Sequence, residues 1–197
     1  MVQAAERVQN AFAESIRVKQ ATAAECGEMI ATVAERLIAC FGSGGKVLLF
    51  GNGGSAADAQ HIASEWVGRQ VMDRPALPAI ALTANSSEFT GVGNDYGFDH
   101  VFVRGIEAHG RPGDIAIGIS TSGDSGNVLA GVDAARERGL VTVGLLGKGG
   151  GKLASAVDYP ITVPSHDTPR IQESHITIGH ILCELIEAAL FSATPKS

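Results

Sequence analysis

The chain has 197 residues, 45% hydrophobic and 18% charged, with a net charge of −6. That length allows one domain with its own core, and a negative balance without any Lys/Arg run argues against a nucleic-acid groove. Aromatics make only 5% while glycines number 25, which suits α/β turns better than an all-β sandwich.

Residues 3–41 carry apolar residues at helical spacing (Val8, Phe12, Ile16, then Met29, Ile30, Val33, Leu37, Ile38, Phe41). The spacing predicts two helices broken near residues 20–24, a hairpin that either covers the sheet or forms an oligomer interface. After Gly42–Gly45 the pattern changes to short, continuous apolar runs: Val47–Phe50, Ala79–Leu82, Ile115–Ile119, Val141–Leu146 and Tyr159–Val163. Helical stretches are expected between most of them, at 55–68, about 97–108, 125–138 and near 152–155. Apolar strands alternating with helices predict a parallel sheet covered on both faces. The fold class expected is therefore α/β, a three-layer sandwich with a five-stranded parallel sheet. It is read as a single domain over 1–197, with helices at 1–42 and the α/β core at 46–191. Asp167-Thr168-Pro169 opens a long last helix running to about Phe191.

In such sheets ligands sit beyond the carboxyl ends of the strands. The turn after the first strand, Gly51-Asn52-Gly53-Gly54-Ser55, leads into a helix whose N-terminus favours an anion. His61 and Glu65 follow on one face of that helix. After the second strand come Thr83–Glu88 and Gly93-Asn94-Asp95-Tyr96-Gly97, read as loops. After the third comes Ser120-Thr121-Ser122-Gly123-Asp124-Ser125. Four hydroxyls in six positions exceed what a helix cap needs, so a phosphate cradle built without Lys is favoured, provided Asp124 points away. Gly51-x-Gly53-x-x-Ala56 also fits the loose dinucleotide fingerprint, but no acid ends the next strand and a nucleotide cofactor is disfavoured. In the last helix Gln172, His175 and His180 are all eligible polar groups. Gln172 and His180 are eight apart, roughly 12 Å along the helix, so periodicity alone does not select that pair.

The three cysteines, Cys26, Cys40 and Cys183, are odd in number and far apart, as expected of reduced thiols in a cytoplasm. The first 20 residues hold no apolar core and 18 apolar residues nowhere run together, so neither signal peptide nor membrane span is expected.

The strings G-N-G-G-S-A-A-D-A-Q-H-I-A-S-E, G-N-D-Y-G-F, S-T-S-G-D-S-G-N and R-I-Q-E-S-H-x-x-x-G-H resemble those of the phosphoheptose isomerases of the sugar isomerase (SIS, flavodoxin-like) fold, over about Val47 to Leu190. The resemblance implies conversion of D-sedoheptulose 7-phosphate to D-glycero-D-manno-heptose 7-phosphate for bacterial lipopolysaccharide or related surface glycans. It also implies a homotetramer with shared active sites, and one zinc ion per subunit. By motif the metal ligands are His61, Glu65, Gln172 and His180. The substrate contacts are Asn52, Gly53, Gly54, Ser55, Glu65, Asn94, Asp95, Ser120, Thr121, Ser122, Ser125 and Gln172. Two imidazoles, a carboxylate and an amide oxygen suit zinc. Glu65 is the first choice of base for an enediol mechanism, with His180 as partner acid/base, although binding a metal competes with that duty. Gly126 stands where relatives often carry Pro, and Asp124 where Asn or Lys is common; neither removes a ligand. The competing expectation is a SIS-fold tetramer that binds the bacterial replication initiator without catalysis; it need not keep the metal and base set. Another SIS isomerase or a sugar-phosphate sensor would share the serine loop but not the last helix.

Overall fold

Five apolar runs become five parallel strands in a computed structural model that describes residues 2–191. They are β1 (Val47–Gly51), β2 (Ala79–Ala81), β3 (Ile115–Ser120), β4 (Val141–Leu146) and β5 (Tyr159–Thr162), in the order β2-β1-β3-β4-β5. Val47 pairs with Ala79 on one side and Ile115 on the other. The chain leaves β1 toward β2 and returns to β3 on the opposite side. The loops after β1 and β3 therefore diverge and open a cleft at the carboxyl edge, where ligands bind in sheets of this order.

The helices are α1 (Val2–Gly42), α2 (Gly54–Val67), α3 (Ser86–Tyr96), α4 (Val101–His109), α5 (Gly126–Glu137), α6 (Leu153–Ala156) and α7 (Thr168–Phe191), with a 3-10 turn at Phe98–His100 before α4. Alternate residues of β1 feed two cores, as the pleat requires. Val47 and Leu49 join Leu37, Ile62, Trp66, Ile178 and Leu182 under α1, α2 and α7. Leu48 and Phe50 join Phe102, Ile106, Val128 and Val132 under α4 and α5. This is the expected three-layer sandwich.

Two local expectations are corrected. The N-terminal segment is one continuous 41-residue helix, not two helices broken at 20–24. Thr22 is buried and its hydroxyl donates to the Val18 carbonyl at 2.8 Å, so a polar residue in the supposed break continues the core-facing row Val18, Thr22, Cys26, Ile30. The stretch after β2, read as loop, contains α3. Asn85 caps it by accepting from the Glu88 N–H, and Gly97 at φ 88° ends it. Helix α7 has the length and apolarity of a membrane span, but its buried face, including Ile171, Ile178, Leu182 and Ile186, packs in the core with α1 and α2.

Candidate active site

The serine loop and the glycine turn meet at the carboxyl edge of the sheet. Ser120 Oγ lies 2.9 Å from Ser125 Oγ and 3.4 Å from Ser122 Oγ. Ser125 stands at the N-cap of α5 but makes no side-chain cap bond; its hydroxyl turns to Ser120, which a simple capping role would not require. Asp124 points away from these hydroxyls and accepts the Lys152 N–H at 3.1 Å. Asn52 and Asn127 exchange amide hydrogen bonds of 2.8 and 2.9 Å, tying the turn after β1 to the first residues of α5. A groove of about 300 Å³ adjoins this tie, lined among others by Asn52, Gly53, Gln60, Thr83, Phe89 and Phe98.

The second part of the site lies where α2 crosses α7. His61 Nε2 and His180 Nε2 are 3.0 Å apart, and His61 Nε2 is 3.5 Å from Glu65 Oε1. One ligand atom from each of the three lies within 4.8 Å of the others. The crossing is close because Gly179 faces Ile62: a Cβ at 179 would stand 2.6 Å from two Ile62 side-chain carbons. One residue along from that contact, on each helix, is a histidine. Near the other end of α2, the Gln172 amide packs on Gly54 so closely that any Cβ at 54 would overlap it. Glycine at 54 therefore lets α7 carry Gln172 against the start of α2.

His61, Glu65 and His180 thus come together, and Gln172 is held at Gly54 in the first turn of α2. Ser120, Ser122 and Ser125 form one cluster, with Thr121 half-buried beside them and Ser55 buried in the first turn of α2. Asn94 and Asp95 lie exposed on α3, the Asn94 amide donating to Asp95 at 2.8 Å; they are joined to neither cluster by a hydrogen bond. His175, equally eligible from sequence, is fully buried, with Nε2 2.9 Å from the Leu146 carbonyl. Burial pushes its pKa down to about 4, so it is a neutral core residue. Asn127 is the residue sequence reasoning missed. Two residues past Ser125 in S-G-N, it carries no local signal; its place comes from the pairing with Asn52, 75 residues away.

A profile of the SIS domain matches residues 11–147. The phosphoheptose isomerase of Geotalea daltonii is 53% identical over 186 residues, spanning 94% of this chain and 97% of the relative. Among solved structures, a phosphoheptose isomerase from Neisseria gonorrhoeae is 46% identical with a TM-score of 0.89, covering 95% of this chain and 100% of that one. One from Francisella tularensis is 39% identical with a TM-score of 0.90, covering 93% and 97%. Sheet order, hydroxyl loop and profile together define a SIS-domain enzyme. The chain belongs to the phosphoheptose isomerase family, and it is an isomerase.

Proposed function

We propose that the enzyme interconverts D-sedoheptulose 7-phosphate and D-glycero-D-manno-heptose 7-phosphate through an enediol, supplying heptose for bacterial lipopolysaccharide or related surface glycans. The observation that carries this reading is the His61–Glu65–His180 cluster where α2 crosses α7, α2 itself beginning in the turn tied by Asn52 and Asn127 to the helix behind the hydroxyl loop.

The donor set fits zinc. Four ligand atoms about 2.0–2.1 Å from a tetrahedral zinc lie roughly 3.3 Å from one another; the two separations from His61 are 3.0 and 3.5 Å, and all three donors lie within 4.8 Å of one another. His61, Glu65 and His180 would hold the ion, with Gln172 proposed as fourth donor. Zinc bound there supplies Lewis acidity toward the substrate carbonyl and its neighbouring hydroxyl.

The chain's own groups do the rest. The hydroxyls of Ser120, Thr121, Ser122 and Ser125 and the N-terminus of α5 donate to the phosphate. That anchor fixes the reacting carbons near Glu65. Asn52, Gly53 and Gly54 line the sugar, with Asn94, Asp95 and Gln172 as further contacts, and the Ser55 hydroxyl in the first turn of α2 joins the phosphate donors. Glu65 takes the proton from C1 of the ketose and returns it to C2. His180 moves the accompanying proton between the two oxygens, giving one to the former carbonyl and accepting one from the C1 hydroxyl; for both residues this duty competes with holding the ion.

Assembly as a homotetramer with shared sites belongs to the same reading. It is supported by the first part of α1, where residues 3–13 are all exposed and Phe12 is 68% exposed beside Val8 and Ile16. Ile181 and Leu185 on α7 are exposed as well. A cytoplasmic location is proposed from the three free cysteines.

An NMR assay for the aldose product from sedoheptulose 7-phosphate, before and after chelation and after adding back zinc, tests the whole. Turnover lost on chelation and restored by zinc is the expected result. No turnover in any of the three states overturns the assignment.

A further inference from the structure

Arg74 and Glu187 form an ion pair that the site just described does not use. Their side chains are 1% and 2% exposed, with Arg74 Nε 2.9 Å from Glu187 Oε1. Glu187 also accepts the N–H groups of Gln70, Val71 and Met72 at 3.0–3.2 Å. Arg74 spends its remaining donors on carbonyls: Nη2 on Glu65 at 2.9 Å, and Nη1 on Trp66 at 2.9 Å and Pro75 at 3.1 Å.

A buried ion pair is weak evidence for stability, because desolvating the two ions costs several kcal/mol each and apolar residues of similar volume serve as well. Where the bonds go is more informative. The last carbonyls of a helix lack intrahelical partners, and Arg74 seizes two of them at the end of α2, one belonging to Glu65 itself. Glu187 lies seven residues, about two turns, beyond His180 on α7. Cys183, between them, is fully buried. The pair therefore joins the backbone of Glu65 to the helix that carries His180. It ties the two helices on the far side of the cluster from Gly54 and Gln172.

We propose that Arg74 and Glu187 are positioning residues, a clamp that sets the spacing of α2 and α7 at the His61–Glu65–His180 cluster. The clamp thereby tunes the affinity of that cluster for a divalent transition-metal ion and the rate of proton transfer by Glu65 and His180. The inference rests on the assignment of that cluster as the catalytic centre. Among the described residues no hydrogen bond joins the hydroxyl loop to the clamp, so substrate affinity is expected to stay.

Co²⁺ titration followed by its d–d absorption tests this, alongside kcat and KM for the ketose phosphate. Glu187→Gln keeps the size and an acceptor oxygen but removes the charge; Arg74→Lys keeps the charge but removes the fork. Each is expected to weaken Co²⁺ binding and lower kcat by about 10- to 100-fold, the range for groups that orient metal ligands, with KM within about twofold. Folded variants with wild-type Co²⁺ spectra and kcat, and only a lowered Tm, make the pair a folding staple and overturn the proposal. So does failure of both variants to fold. If the wild-type chain binds no Co²⁺, the metal reading fails by itself. The clamp is then judged on kcat, which still falls at constant KM if Glu65 and His180 depend on it.

Discussion

Ile62 and Gly179 occupy the same point of the α2–α7 crossing, each immediately following or preceding a histidine of the donor cluster. A Cβ at 179 would stand 2.6 Å from Ile62, closer than carbon atoms approach without displacement. Gly179→Ala is therefore expected to push the helices apart, lowering stability by about 1–3 kcal/mol and weakening metal binding with it. Urea melts and Co²⁺ titration check this, and trimming Ile62 to Ala in the same chain is expected to restore part of both. Unchanged metal affinity in a destabilised Gly179→Ala chain separates packing from chemistry and contradicts the expectation.

Glu65→Gln is expected to lower kcat by about 10²- to 10⁴-fold, the range for a lost general base, while circular dichroism and KM stay near wild type. A near-normal rate rejects Glu65 as the base.

The hydroxyl cradle makes a different prediction. Ser120 bonds to Ser125 and lies near Ser122, so Ser120→Ala removes one donor and frees another. Ser120→Ala and Ser55→Ala are expected mainly to raise KM, by roughly tenfold for one hydrogen bond to a charged group. If KM moves in neither variant, the phosphate sits elsewhere.

His175 gives a pH dependence. It takes its proton at about 4 in the fold against 6.5 ordinarily, because burial disfavours the cation. Between those values the unfolded chain binds the extra proton, so stability falls as pH drops. The contribution is complete above pH 6.5 and lost by about pH 4, a loss of about 3 kcal/mol in full. Unfolding free energies across that window measure it, and a His175→Asn chain is expected to lose this part of the slope. Glu187 adds to acid sensitivity in the same direction. Burial works to raise its pKa, but the three backbone donors and Arg74 together hold it below the ordinary value, so its contribution is lost as pH falls through that depressed value.

The cysteines are expected to resist alkylation in the native chain at neutral pH. Burial pushes Cys183 up to about 12 and Cys40 up to about 11, and raises Cys26 as well. Only the thiolate reacts at a useful rate. Mass spectrometry after iodoacetamide, with and without urea, checks it; rapid native labelling at Cys183 contradicts the packing of α7.

The inner strands β1 and β3 were legible because both their faces are buried, so each appears as a nearly unbroken apolar run. Helix α3 was not. Ser86–Tyr96 contains two glycines and no buried residue, which leaves no periodicity to see; its clue was the cap Asn85 with Glu88 three residues on. The continuity of α1 was hidden because its core-facing row passes through Thr22 and Cys26 rather than through large apolar side chains. For the site, motif strings named His61, Glu65 and His180, and the structure brings these three together. Spacing alone did not choose His180 over His175, since that choice depends on how α7 lies across α2 and on the Leu146 carbonyl that claims His175. Asn127 and the Arg74–Glu187 pair depend on contacts between distant segments and leave no trace in a local pattern.

On the proposed assignment, the phosphate seat rides on strand ends while the proton-moving groups ride on a pair of crossed helices. A descendant chain that lost the histidines would still recognise a phosphorylated sugar. Conversion from a catalyst into a receptor thus requires changes on one face of two helices and none in the sheet.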